Sequence, residues 1–273
     1  MRRLAGIAAA CAAVWACGSG PAAHGQWTRP ADDHLSITSI SLHWLDADGS
    51  GRDLVKEEAA VYAEYGLTEG VTFIARSAAQ LVREVGPAER RVVMVDGVET
   101  EALVEPRREF GVGGIELGAR VQLRREGPWA FAAQGAFGVP GSGENRINEQ
   151  FGEGGGDTDL RLQLGRSLAG GAFLAASGGW RNRRGEDQDE IRLDLTSGRP
   201  LGRGVHIFVQ SFSVWSLEDG PRAGRPYGGH RLQASVLAPV SRRARLQIGA
   251  LATVRERNMA REHAVIVSLW RRF

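Results

Sequence analysis

Three sets of residues in this chain have the types and spacing to do chemistry. The first is Asp46-Ala47-Asp48-Gly49-Ser50-Gly51 with Glu57 beyond it. It fits the calcium-loop template, with Asp46, Asp48, Ser50 and Glu57 as oxygen ligands and a glycine at the sharp turn. Against it, Asp53 stands where that loop usually carries an apolar residue, and the flanks read as strands, not helices. An Asp/Gly-rich hairpin tip is the commoner origin of such a run, so no cofactor is expected. The second set is His34, His43, His206, His230 and His263 with their neighbouring serines. No H-E-x-x-H or G-x-S-x-G occurs, so no catalytic residue is assigned and the chain is not expected to be an enzyme. A lipid hydrolase would have to use a pair such as His206 with Ser211 or Ser213. The third set is the largest: Glu64, Glu116, Arg120, Asp159, Arg161, Arg192, Asp194 and Arg231, joined by Gln134, Arg181 and Gln247, each alternating with apolar neighbours. Acids and arginines sorted onto one face would line a solute pathway or form a salt-bridged plug.

What would position that third set is a series of strands with period two. Ile115, Leu117, Ala119, Val121 and Leu123 fall on one face, and Glu116, Gly118, Arg120, Gln122 and Arg124 on the other. Leu160, Leu162 and Leu164 oppose Arg161 and Gln163, while Ile191, Leu193 and Leu195 oppose Arg192 and Asp194. No helix sorts side chains this way. Twelve such segments are predicted, at 34–45, 57–67, 70–79, 112–125, 128–138, 157–167, 171–183, 188–198, 204–216, 228–239, 243–255 and 261–273. Tight links alternate with longer ones, the rhythm of a transmembrane barrel with short turns at one end and long loops at the other. The stretch 80–111 reads as a long outer loop. Over 76–108, Ala78, Leu81, Val82 and Val85 have helical spacing, and 92–95 and 98–104 flank Asp96-Gly97 as a short hairpin, so ten or fourteen strands remain open alternatives. The last strand carries Val265, Val267 and Leu269 on one face and ends on Phe273, the aromatic that barrel-assembly machinery would recognise.

The N-terminal stretch sets the compartment. Arg2 and Arg3, the apolar run 4–15 and Ala23-His24-Gly25 form a secretory signal peptide over 1–25, which leaves 26–273 as the barrel domain. A rival box, Val14-Trp15-Ala16-Cys17, would instead leave Cys17 as a lipidated terminus. Both cysteines, Cys11 and Cys17, lie within the leader, so a chain starting at Gln26 has no disulfide or cysteine metal site. Removing Arg2 and Arg3 from the 34 basic residues leaves 32 against 32 acidic ones, a neutral balance that gives no reason to expect nucleic-acid binding. Lys56 is the only lysine among them. Hydrophobic content of 42% is too low for a bundle of membrane helices but suits strands with one wet face. Trp27, Trp44, Trp129, Trp180, Trp215 and Trp270 fall near strand ends, where an interfacial girdle would place them, with lumen packing the open alternative for some.

Several stretches carry a family resemblance. Gln26-Trp27, Ala63-Glu64-Tyr65-Gly66-Leu67-Thr68-Glu69-Gly70-Val71-Thr72, Gly114-Ile115-Glu116-Leu117-Gly118 and Asp159-Leu160-Arg161-Leu162-Gln163-Leu164-Gly165-Arg166 resemble proteobacterial outer-membrane transporters of the meta-pathway of phenol degradation type. The resemblance implies a β-barrel and passage of small organic compounds, with no catalytic residues to carry over. Arg271 departs from the apolar residue often found two positions before a barrel's terminal aromatic, and an arginine at the membrane edge can snorkel. The expectation is therefore an all-β, twelve-stranded barrel in the bacterial outer membrane, a passive channel for small solutes with an arginine-rich lumen. Its partners would be outer-membrane lipids and the assembly machinery. The alternatives are a plugged structural or surface-interaction barrel and a lipid hydrolase.

Overall fold

Alternation survives along the whole chain because each strand faces two solvents, and the computed structural model assembles the strands accordingly. It describes residues 28–46, 53–95, 98–143, 156–183, 188–217 and 226–273. The leader, both cysteines, Trp27, Asp48, Ser50 and the glycine run before Gly156 lie outside those residues.

The strands are β1 (His34–Asp46), β2 (Leu54–Thr68), β3 (Val71–Glu84), β4 (Glu89–Val95), β5 (Val98–Val104), β6 (Arg108–Val112), β7 (Ile115–Glu126) and β8 (Trp129–Val139). There follow β9 (Ser142–Gly143), β10 (Thr158–Ser167), β11 (Phe173–Asn182), β12 (Glu190–Gly202), β13 (Val205–Ser216), β14 (Gly228–Pro239), β15 (Ala244–Arg257) and β16 (Arg261–Arg272). Among the described residues the only helical element is a single 3-10 turn, Ala169–Gly171, and no helix is long and apolar enough to cross a membrane. Twelve strands close into one antiparallel up-and-down barrel: β1, β2, β3, β7, β8 and β10 through β16, each paired with its neighbours. The ring shuts where β1 meets β16, from Leu35 opposite Arg272 to Asp46 opposite Arg261. With no free edge, every strand finds its ladder within the wall, the condition for crossing lipid. Outside, Ile40, Val61, Leu162, Val209 and Ile248 are at least half exposed. That apolar band is far larger than a soluble protein leaves bare, and it is the face that meets lipid.

The stretch 80–111 differs from the single outer loop expected. β3 runs on to Glu84, so Leu81 and Val82 belong to a strand and their helical spacing forms no helix; Val82 points inward and is buried. Its lower half pairs with β7 and its upper half with β6, with Gly113-Gly114 between them. The reason is steric: the chain passes so close to β8 there that a Cβ on Gly114 would meet the Val139 carbonyl at 2.3 Å. The strand expected at 112–125 is thus β7, and its line continues past the glycines as β6, inside the stretch expected as loop. β4 and β5 pair only with each other, as a hairpin apart from the barrel sheet.

The segment before β1 also does something the alternation does not announce. Thr28 and Arg29 are buried inside the barrel at its turn end. The backbone there crosses β2 at Gly66, where a Cβ would lie 1.9 Å from the Pro30 carbonyl. Asp32 donates its N–H to the Gly66 carbonyl, and Gly66 donates to that of Asp33. Nearby, Arg272 and Arg29 both reach Asp33, at 3.1 and 2.9 Å, tying the two ends of the chain across the seam.

Candidate functional site

The candidate site is the barrel interior, where the inner positions of the strands converge. The turn end is floored by apolar side chains. Phe173, Phe208 and Trp270 stand at ring-centroid distances of 6.1 and 6.3 Å, packed with Leu35, Ile37 and Leu237. Of the two places open to it, girdle or lumen, Trp270 takes the lumen, donating its ring N–H to Gln247 at 2.9 Å. Strand parity explains this, since its neighbours Leu269 and Arg271 take the outer face. Trp44, Trp180 and Trp215 are outward and well exposed, all near the loop end, and Trp129 lies under Arg166 at the turn end, 4.8 Å from ring centroid to guanidinium carbon.

Beside that floor, Glu64 gathers donors from several elements. Its carboxylate accepts from Arg29 Nε at 2.6 Å, Arg120 Nη1 at 3.0 Å and the Tyr62 hydroxyl at 2.6 Å. Arg120 Nε also donates to Gln134 Oε1, which takes a second hydrogen bond from Gln163. Above this the lining is amide and hydroxyl. Gln134 Nε2, Gln163 Oε1, Ser177 Oγ and Gln233 Oε1 are buried with no hydrogen-bond partner among the described residues, as is Glu116 Oε1.

Two charged clusters occupy opposite walls, because β11 lies six strands from β1 whichever way the ring is followed. On one wall Arg161 is forked between two carboxylates: Nε to Asp159 at 2.6 Å and Nη1 to Asp194 at 2.5 Å. Nearer the loop end Glu190 holds Arg192 and accepts from the Tyr227 hydroxyl at 2.6 Å. Burial and the facing Glu190 carboxylate push the Tyr227 phenol upward, so it stays a donor.

On the other wall a chain of contacts runs through three residues. Ser41 Oγ lies 2.7 Å from His43 Nε2, and His43 Nδ1 lies 2.6 Å from Glu262 Oε1. The second Glu262 oxygen accepts from Arg231 Nη1 at 2.7 Å, Lys56 Nζ is 3.6 Å from the first, and Thr253 Oγ1 accepts the Glu262 N–H at 3.0 Å. All three residues of the chain are under 9% exposed.

Every residue of the expected solute pathway sits on the inner face: Glu64, Arg120, Asp159, Arg161, Asp194 and Arg231 buried, Glu116 and Arg192 partly so. The calcium-loop set and the His206 pair, weighed and set aside in the sequence, are not brought together among the described residues. Asp46 ends β1, whereas Glu57 sits opposite Leu42 and is paired with Arg83 at 2.7 Å. Four residues of strand, about 13 Å, separate their levels, and the two other ligands of that template, Asp48 and Ser50, lie outside the described residues. Among the described residues no group of three or more His, Cys, Asp and Glu is arranged to hold a metal. His206 points inward at the turn end against the Gly204 carbonyl, on the face of β13 opposite to Ser211 and Ser213. Ser213 instead meets His230 across the β13–β14 pair, at 2.8 Å. Sequence reasoning missed Ser41, His43 and Glu262 as a group. The signal present was the polar run Ser39-x-Ser41-x-His43 on one strand face.

No protein-family model matches the chain, and no curated protein matches it by sequence. Among solved structures it is similar to an outer membrane channel from Pseudomonas putida F1, at 13% identity over 90% of this chain and 97% of that one, with a TM-score of 0.68. It is also similar to the translocator domain of the autotransporter NalP from Neisseria meningitidis, at 11% identity over 91% of each chain, with a TM-score of 0.51. At such identities the likeness is one of fold.

Proposed function

We propose that the chain is a narrow passive conduit for small organic solutes across the bacterial outer membrane. The observation that carries this reading is the set of buried polar atoms at mid-height that have no partner among the described residues: Gln134 Nε2, Gln163 Oε1, Ser177 Oγ and Gln233 Oε1. A core filled only for stability leaves few such atoms, since each costs about 1–3 kcal/mol without a partner. Water or a passing solute meets that need. The floor of Phe173, Phe208 and Trp270 beside the Arg29–Glu64–Arg120 cluster offers both an aromatic and a charged surface. That mixture suits compounds with an apolar body and a polar group, which fall among the small organic compounds the family resemblance implies. The solved structure with the higher TM-score is itself described as an outer membrane channel.

In this reading the long connections face outward and the tight turns lie in the periplasm. Residues 1–25 direct export, lipid covers the apolar band, and Phe273, exposed at the seam, is read by the assembly machinery. The lumenal arginines are largely neutralised: Arg120 by Glu64, Arg161 by Asp159 and Asp194, and Arg231 by Glu262. Ion selectivity should therefore be weak. A second reading, a plugged structural barrel, draws on the apolar floor and on the insertion of Thr28 and Arg29.

The experiment is planar-bilayer recording of the refolded chain across a potassium chloride gradient. A conduit gives small discrete steps with a reversal potential near zero. A protein that is folded by heat-modifiability gel yet silent favours the plugged reading.

A further inference from the structure

We propose that Ser41, His43 and Glu262 form a nucleophilic acyl-transfer site on the lumen wall, suited to small carboxylic esters that enter the barrel. The inference rests on the reading that the lumen admits solutes.

The direction of the hydrogen bonds follows from the partners. Glu262 is flanked by Arg231 and Lys56, and an ionised carboxylate only accepts, so the proton between it and His43 sits on Nδ1. A neutral ring so oriented presents the Nε2 lone pair to Ser41, whose hydroxyl donates along the 2.7 Å contact. Nucleophile to base and base to orienting carboxylate are the two contacts by which a triad is recognised, whatever the fold. The scaffold is rigid. Ser41 and His43 stand two apart on one face of β1, which is paired with β2 on one side and on the other with β16, the strand that carries Glu262.

Lys56 adds an independent observation. It is the chain's single lysine against 33 arginines, it is 2% exposed, and it stands opposite His43 in the β1–β2 register. An arginine fork there would clamp a carboxylate as Arg161 clamps Asp159, whereas a compact ammonium is shared between acceptors, here Glu262 at 3.6 Å and Glu58 at 3.9 Å. In the proposed site the oxygen of the tetrahedral intermediate joins those acceptors.

The steps balance. Ser41 Oγ bonds to the ester carbonyl carbon as its proton passes to His43 Nε2. The carbon–alkoxy bond then breaks, and the departing alcohol takes that proton. Water next gives a proton to Nε2 while its oxygen bonds to the acyl carbon, and Ser41 Oγ leaves with the proton restored. Ester and water become acid and alcohol, without oxidant or cofactor. Ser41 and His43 are the catalytic residues, and Glu262 is a positioning residue acting through His43.

The test is covalent labelling of the refolded full-length mature chain with a small uncharged fluorophosphonate, mapped by mass spectrometry, alongside release of p-nitrophenol from p-nitrophenyl acetate. Folding is verified on a heat-modifiability gel, and conductance is recorded on the same preparation. The expected result is one adduct on Ser41, abolished by Ser41→Ala and formed at least about 100-fold more slowly in His43→Ala. Glu262→Gln should slow labelling and Glu262→Asp restore part of it, a rescue that a filler role does not predict. If His43→Ala fails to fold, His43→Asn replaces it. A folded wild-type barrel without an adduct on Ser41, or one labelled equally well without His43, overturns the proposal. A conducting but unlabelled barrel overturns the site and spares the conduit, and a silent but labelled one does the reverse.

Discussion

The two charged walls of the lumen use similar side chains to opposite ends. On the β10–β12 wall Arg161 spends its guanidinium on Asp159 and Asp194, so the cation is the hub and the carboxylates surround it. On the β1–β16 wall the carboxylate Glu262 is the hub, shared by His43, Arg231 and Lys56, and one branch ends in the hydroxyl of Ser41. A hub arginine uses geometry to lock a wall. A hub carboxylate with several donors tolerates the loss of one, and it fixes the proton position on the histidine it holds. Charge inside a barrel is thus no guide to function until the order of its partners is known.

That contrast can be broken by removing each hub or one of its spokes. The largest effect is expected from Arg161→Met, which leaves two buried carboxylates uncompensated and should cost about 3–5 kcal/mol, read as a lowered urea midpoint of the refolded barrel. Lys56→Met should cost only about 1–2 kcal/mol, because Glu262 keeps Arg231 and His43. Equal losses would show that the two walls are built alike. Ser41→Ala removes a single hydrogen bond at the end of a branch and should cost about 1 kcal/mol in the same measurement.

The smallest effect concerns the seam. Burial alone would raise the Asp33 carboxyl, but hydrogen bonds from Arg29 and then Arg272 hold it below its ordinary value. A depressed folded value means that the contribution is present above about pH 4, the unfolded range, and fades as pH falls through the folded value. Asp33→Asn should therefore narrow the stability gap between pH 7 and pH 3 slightly. An unchanged gap would remove the seam from the account.

Most of the wall was legible because lipid outside and polar side chains inside force every strand to alternate, so the twelve strands could be located and phased from sequence. Glu64, Arg120 and Arg161 face inward for the same reason. The misreadings have local causes. Its position near a strand end left Trp270 between girdle and lumen, although parity with Leu269 places it inside. The break at Gly113-Gly114 depends on how closely β8 passes, which alternation does not encode. The insertion of Thr28 and Arg29 uses no periodic signal at all. The Ser41–His43–Glu262 chain joins residues 219 positions apart, and only closure of β1 on β16 brings them together.

The central claim is that the interior is a hydrated path narrowed at the turn end by the aromatic floor. The most direct test is single-channel recording of Phe208→Ala beside the unaltered chain, since Phe208 packs between Phe173 and Trp270. The account predicts small steps from the unaltered barrel and clearly larger ones from the variant. Flat records from both, in protein verified as folded, would contradict it.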